Sequence, residues 1–351
     1  VTLPNTAVVN VTATNNSSTT RTAYEISQGT FPGWEASSVG ATVIFVASSA
    51  GNKSGSFSLA QSGAATPAAG TDAETLAGVA STDTWIPQAS WNGDVMDGSG
   101  SASNPSGFNL DPTKGNVYQI GLQYLGFGSI SFQVEAYSGD NNPEFVTVHT
   151  IKYPNTSTST SMSQPSFPFL AAAYSAGSTT NCSVSIGSYA GFNEGEPVNL
   201  GPRSSYSRDS LVTSSTTVFV PIVTVRNALV FNGRANQSVI NLLDMGGSAN
   251  GNANASTKFY LVRNAVLTGP VNFTAWGSAS CSQIDVAATG MSTPTNTDII
   301  YTRSLGQTND FGYAFSDREI TLQPNETVTL CVKSLSATAS CTGGLNVREN
   351  Q

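Results

Sequence analysis

Short runs in which apolar and polar residues alternate recur along the whole chain, and a period of two is what a strand shows when it buries one face. The clearest run covers residues 117–124, where Tyr118, Ile120, Leu122 and Tyr124 fall on one side. Gly126, Phe127 and Gly128 then turn the chain, residues 129–135 repeat the alternation, and a Ser-Gly-Asp-Asn-Asn-Pro cluster at 138–143 precedes a third run at 145–151. Alternating runs separated by such turn residues predict a three-stranded antiparallel meander. Tyr118, Ile120, Leu122, Phe127 and Phe132 are its expected packing residues.

Further strands are expected at 7–13, 41–47, 56–61, 169–174, 182–189, 216–225, 238–243, 258–262, 271–276, 298–301 and 327–333. Strands about ten residues apart with turn signals between them suit sandwiches and barrels, and the lack of a fixed-period repeat disfavours solenoids and propellers. A short helix is expected only at 72–79, after an Ala-, Gly- and Pro-rich loop at 61–72. Pro221 removes a ladder donor inside 218–225, so an edge or a bulge is expected there. Residues 193–209, with Pro197 and Pro202, form the best internal boundary, and 250–256 reads as a flexible loop. The expected architecture is all-β. It comprises two antiparallel, jelly-roll-like β-sandwich domains, residues 1–205 and 206–351, with residues 1–80 set apart as an arm or assembly segment.

Composition narrows the function. Apolar residues make up 39% of the 351 residues, enough to build a core, but charged residues only 10%, against roughly 25% in an average soluble protein. Neutral Ser, Thr, Asn and Gln supply the polar surface, joined by 33 Gly and 16 Pro; these residues favour turns and half-buried strands over helix. A net charge of −8, with 14 Lys and Arg scattered along the chain, excludes the clustered basic surface on which nucleic-acid binding depends. No apolar run reaches the roughly 20 residues of a membrane span, and no signal-peptide pattern opens the chain. A start at Val1 rather than Met leaves room for a leader or propeptide that has been removed.

Cys182, Cys281, Cys331 and Cys341 form no CxxC pair and have no His at metal-ligand spacing, which argues against zinc. Cys331 and Cys341 flank a loop of small residues, an arrangement that suits a disulfide closing a hairpin and leaves Cys182 and Cys281 as the second pair. Four buried free thiols are the equal alternative. Ten Asn-x-Ser/Thr sequons occur, at Asn10, Asn15, Asn16, Asn52, Asn155, Asn181, Asn236, Asn254, Asn272 and Asn325. A chain this rich in Asn, Ser and Thr produces about that many by chance, so they mark glycosylation candidates and no more.

Catalytic chemistry has few residues to work with. His149 is the only histidine, and without a Gly-x-Ser-x-Gly elbow it reads as a strand surface residue. A glycosidase needs only two carboxylates, and Asp94, Asp97, Asp111, Glu135, Asp140 and Glu144 gather in one region. Their Gly- and Ser-rich settings read first as turns in which Asp accepts local backbone hydrogen bonds. Asp94, Asp97 and Asp140 are the candidate calcium ligands, since hard cations favour oxygen donors on turns, although no EF-hand pattern is present. No other cofactor is expected. Trp34, Trp85, Trp91 and Trp276 would stack on sugars where exposed and otherwise fill the core.

The segments Trp-Ile-Pro-Gln-Ala-Ser-Trp-Asn-Gly-Asp-Val-Met-Asp-Gly at 85–98, Ser-Gly-Phe-Asn-Leu-Asp-Pro-Thr-Lys at 106–114, Tyr-Gln-Ile-Gly-Leu-Gln-Tyr-Leu-Gly-Phe-Gly at 118–128 and Val-His-Thr-Ile-Lys-Tyr-Pro-Asn at 148–155 follow one another in an order of their own. Together with the Pro-Ser-Phe-Pro entry at 165–168, they resemble a family of virion structural proteins of tailed phages and large DNA viruses. In the second half, Thr224-Val225-Arg226, residues 231–236, 261–264, 267–269 and Val347-Arg348-Glu349 resemble the same proteins. This chain departs from the family pattern at Pro154 and around Asn104. The resemblance spans residues 85–349 and implies a non-enzymatic capsid-associated, decoration or fibre protein in the virion or otherwise extracellular. The expected partners are copies of itself, as a homotrimer, other virion proteins and host-surface glycans, without nucleic acid or membrane insertion. The rival readings are a secreted carbohydrate-binding adhesin, signalled by exposed tryptophan beside Asn and Asp, and a glycan-cleaving enzyme using the acids between Asp94 and Glu144.

Overall fold

In the computed structural model, residues 1–4, 6–14, 18–48, 53, 55, 57–60, 84–123, 126–137, 142–158, 160–161, 183–192, 201–251, 256–306, 309–316 and 319–350 are described. The chain divides into two compact units, one formed by Val1–Ser81 together with Gly191–Gln351 and the other by Thr82–Ala190. The boundary expected near residue 205 is therefore displaced. The chain begins the first unit, builds the second and returns, so its N-terminal part belongs with the C-terminal sandwich.

One α-helix is present among the described residues, α1 (Thr19–Ser27). Its Thr-rich sequence has little helical propensity, and tertiary burial of Ala23 and Tyr24 compensates. Ser18 caps it, its Oγ accepting from the Arg21 N–H at 3.2 Å. Strands β1 (Trp34–Val39) and β2 (Thr42–Ala47) then pair antiparallel around Gly40, which takes a φ of 55°. β2 is the strand expected at 41–47. No strand forms at 7–13, and in the 56–61 region the described residues hold only an isolated bridge between Ser58 and Thr2. The helix expected at 72–79, the loop before it and the strand expected at 169–174 lie outside the described residues.

The second unit contains the expected meander, β3 (Tyr118–Leu122), β4 (Ile130–Tyr137) and β5 (Pro143–Ile151), in that spatial order. Val134, Ala136 and Val148 bury one face of it against Met96, with Trp91, Phe108 and Leu110 packed around them. The covering segment also closes the outer edge of β5. The Gly93 and Asp94 N–H groups donate to Val148 O and Thr147 O at 3.0 and 3.1 Å. The Asn92 amide exchanges 2.8 Å hydrogen bonds with the backbone of Thr150 in both directions. A Cβ on Gly93 would fall 2.3 Å from Thr147 O, so only glycine lets the segment approach this closely. Residues 183–189 of the strand expected at 182–189 form no strand, and Val184 and Ile186 are exposed.

The first unit is a sandwich built from short strands joined by turns. Its chain order is β6 (Arg203–Ser207), β7 (Val212–Thr213), β8 (Val220–Asn227), β9 (Val230–Phe231), β10 (Arg234–Ala235), β11 (Val239–Gly251) and β12 (Ser256–Arg263). There follow β13 (Leu267–Thr268), β14 (Thr274–Ala275), β15 (Ser282–Asp285), β16 (Gly290–Met291), β17 (Ile299–Gly306), β18 (Asn309–Ala314), β19 (Thr321–Leu322), β20 (Thr327–Ser334) and β21 (Ala339–Asn350). One six-stranded sheet runs β18-β11-β21-β6, with β19 and β7 at its margins, and the other runs β14-β15-β8-β20-β12-β17. Between them Ile240, Leu242, Leu345 and Val347 of the first sheet meet Val223, Phe259, Leu261 and Leu330 of the second. Burying each such side chain contributes roughly 1.5–3 kcal/mol. Of the strand expected at 271–276 only β14 forms. The expected loop at 250–256 begins and ends inside strands, with 252–255 outside the described residues.

Pro221 sits at a register shift opposite Leu330 and Cys331, and β15 pairs with β8 only from Thr224 onward. The missing N–H therefore falls where β8 is bulged and, among the described residues, locally has no paired neighbour on its far side, as a strand proline requires.

Polar contacts tie the N-terminal part to this sandwich. Arg226, itself buried, donates through Nε to Gln283 Oε1 at 2.9 Å and through Nη2 to Ser38 O. Gly40 N donates to Phe273 O at 3.0 Å, Arg21 Nη1 to Leu267 O at 2.9 Å, and Leu267 N to the Tyr24 hydroxyl at 3.0 Å. Tyr24 thus enters a second cluster with Tyr260, Val262, Val271 and Phe273 on the outer side of the β8-β20-β12 sheet.

Cys281, Cys331 and Cys341 are buried free thiols, so the bridge expected between Cys331 and Cys341 is not formed. β20 and β21 lie in different sheets, and the segment between them is a crossover; Cys331 and Cys341 belong to separate clusters. Cys182, the proposed partner of Cys281, lies outside the described residues. Burial raises all three thiols, that of Cys341 to about 11 from an ordinary 9.0, and a protonated, enclosed thiol is inert. Alkylation of the folded chain near neutral pH is expected to spare all three, with full labelling after denaturation; labelling of any of them in the folded chain would contradict the structure. The stability that Cys341 contributes by keeping its proton is whole below pH 9.0 and is lost as pH rises through about 11. A Cys341→Val variant should lack that part of the alkaline decline.

Candidate functional site

A strand at the edge of a sheet exposes unpaired N–H and C=O groups, and proteins normally protect such edges with charge, proline, shortness or cover. β14 is two residues long, β17 carries Arg303, β18 carries Asp310, and β6 begins at Arg203. β5 carries Pro143 and Glu144 and is closed by residues 92–94. β2 has no charge but is half-buried from Val43 to Ala47.

β3 lacks all of these protections. From Asn116 to Gln123 it has neither charge nor proline, and among the described residues no strand pairs with its outer side. Register places Tyr118, Ile120 and Leu122 opposite Val134, Phe132 and Ile130 of β4, so all six share the sheet's apolar face. Among the described residues, the cover over Val134 and Ala136 does not extend over β3. Val117, Tyr118, Ile120, Leu122 and Phe127 remain 51, 60, 64, 37 and 42% exposed. Among the described residues, the packing role expected of Tyr118, Ile120, Leu122 and Phe127 is therefore not fulfilled, while Phe132 does join the Met96 cluster. Exposed apolar residues contiguous along one edge mark an interaction surface.

Several of the residues weighed for chemistry are engaged in local hydrogen bonds. Asp94 is buried, its Oδ1 accepting from Met96 N and its Oδ2 from Ser106 N, each at 2.8 Å. Asp97 accepts from Ser99 N at 2.9 Å, and hydrogen bonding from the Ser99 side chain, with that from its N–H, lowers its pKa. Asp111 accepts from the N–H and hydroxyl of Thr113 and lies 3.4 Å from Lys114 Nζ. These acids build turns. Glu135 and Glu144 stand on β4 and β5, opposite Phe145 and Ala136 respectively; Asp140 lies outside the described residues. Among the described residues no three His, Cys, Asp or Glu side chains gather closely enough to hold a metal ion. His149 Nδ1 accepts from Asn92 N at 3.3 Å and its ring packs near Phe132, a fixed strand position.

Trp34 and Trp91 are half-buried, whereas Trp85 and Trp276 are exposed, the latter edge-on to Tyr206 with ring centroids 4.9 Å apart. Among the sequons, Asn236 is buried and bonded to Asn227 Oδ1, Ala228 O and Ser238 N, so it cannot accept a glycan in the folded chain. The Asn325 amide donates to Ala36 O, Asn272 is half-buried, and Asn10 and Asn155 are exposed. Asn15, Asn16, Asn52, Asn181 and Asn254 lie outside the described residues.

Two features gave no signal in the sequence. Glu349 is buried at the end of β21. Its Oε1 accepts from the hydroxyls of Tyr206, Ser280 and Ser282 at 3.3, 2.6 and 2.7 Å, and its Oε2 from Cys281 N at 2.9 Å. The other is a shallow groove of about 750 Å³ on the outer face of the β18-β11-β21 sheet. Gly312, Gly246 and Gly344 line up across its floor, with Asp244 and Asn346 on one side and Asp310 on the other. A Cβ on Gly312 would meet nothing within 4 Å, so that glycine serves no packing need of its own strand.

No protein-family model matches the chain, and no curated protein matches it in sequence.

Proposed function

We propose that this protein is a non-enzymatic structural component of a viral particle, a capsid-associated, decoration or fibre protein that works by association of copies. The uncovered apolar row on β3 is the observation that supports this reading most. A neutral edge strand with three aligned large side chains in water is a liability in an isolated chain and an asset in one that meets copies of itself. The particle assignment rests on the order of the quoted motifs between residues 85 and 349. Low charge agrees with it, because neutral faces pack without burying unpaired ions. Peptide mass spectrometry on density-purified particles from the source should find the chain in fixed, substantial ratio to the major shell protein. Its absence from particles would remove the virion role.

A second reading, a glycan-binding adhesin, is favoured by the glycine-floored groove, because an open floor between Asp244, Asn346 and Asp310 admits a sugar ring to hydrogen-bonding side chains. A glycan array showing binding that Gly312→Val abolishes would promote it; silence on the array would set it aside.

A further inference from the structure

We infer that two copies of this chain join by antiparallel pairing of β3 with β3 of the second copy, about a two-fold axis through Ile120. The inference rests on the reading of the chain as a self-associating structural protein and names the surface and the partner. Register fixes the geometry. Opposed residues of an antiparallel pair point to the same face, and a slip of one residue would set apolar against polar positions. Centring on Ile120 overlaps all five residues of the strand, with Tyr118 opposite Leu122, Ile120 opposite itself and Gln119 opposite Gly121. A self-complementary patch of this kind is what a two-fold interface requires. It builds a dimer where a homotrimer was expected from the sequence.

Charge agrees. Residues 116–123 carry no charge, so no like charges face each other across the axis, whereas β6, β17 and β18 would oppose Arg203, Arg303 or Asp310 in the equivalent pairing. Both partners are preformed strands, so pairing orders little new chain. Residues 183–192, exposed but without strand structure, would have to be ordered to occupy the same edge.

Sedimentation velocity on the full chain, across a wide range of concentration, tests the pairing against two variants. The parent chain should dimerise. Ile120→Lys, which sets two ammonium groups against each other at the axis, should weaken the dimer on the order of 100-fold or more. Ile120→Cys in a Cys182→Ser background should form a covalent dimer on mild oxidation, because paired strands hold opposed Cα atoms about 4.5–5.5 Å apart, within disulfide reach. Undiminished self-association of Ile120→Lys, with no covalent Ile120→Cys dimer, would overturn the β3 interface and leave the self-association reading standing, with residues 184–186 as the next surface to substitute. A parent chain that stays monomeric at every concentration would overturn that reading itself.

Discussion

Replacing Glu349 with alanine is expected to destabilise the sandwich by about 3–5 kcal/mol, read as a lowered denaturation midpoint at unchanged slope. The side chain faces inward in the row of Leu345 and Val347, so its carboxyl group is committed to the interior. There it takes the Cys281 N–H and the hydroxyls of Ser280, Ser282 and Tyr206, linking the last strand to β15 and to β6. Truncation leaves those donors enclosed without an acceptor, each costing about 1–3 kcal/mol. The hydroxyls can turn toward other acceptors, but the Cys281 N–H cannot, which keeps the sum in the stated range. Glu349→Gln should cost less, because one oxygen survives while an NH₂ group replaces the other. A Glu349→Ala chain as stable as the parent would show that this network contributes nothing.

Arg226→Ala should cost about 3–4 kcal/mol and should loosen the β1–β2 hairpin in particular. Burial draws the guanidinium down to about 9, with Tyr24 and Asp285 opposing the shift, so it is still charged at neutral pH. It lies 3.8 Å over the Phe273 ring and holds Gln283 Oε1 and Ser38 O. Removing it leaves a cavity against Phe273, orphans two acceptors and takes away a cation that holds the segment before residue 48 to the sandwich. Limited proteolysis should then cut within residues 34–47 faster than in the parent. A protected hairpin and a change below about 1 kcal/mol would contradict the anchoring role.

Period-two alternation made the meander legible, since each of its three strands buries or exposes whole faces. It also placed β8, β11, β12, β17 and β20, whose apolar runs lie between turn residues. Elements carried by tertiary context were not legible. α1 is Thr-rich and is held by Tyr24 in its cluster. β21 is absent from the expected strands because it holds few large apolar side chains; Gly343 packs against Leu330 and Gly246, where a Cβ would come within 2.8 Å. The N-terminal part looked like a free arm because no local pattern announces Arg226 reaching Ser38. At the candidate site the residues were legible but their role was not. Alternation identifies which face of β3 is apolar, and it is silent on whether the same chain supplies the cover. The covering segment holds Trp91, Met96, Phe108 and Leu110, enough for β4 and β5 and none for β3.

Amide hydrogen exchange resolved by peptide, followed as a function of protein concentration, tests the central claim that this protein works through the strand edge it leaves uncovered. Residues 117–123 should gain protection as concentration rises, while those of β8 and β20, buried inside the sandwich, keep the same protection throughout. If the chain self-associates while residues 117–123 exchange at one rate at every concentration, β3 is not where the copies meet.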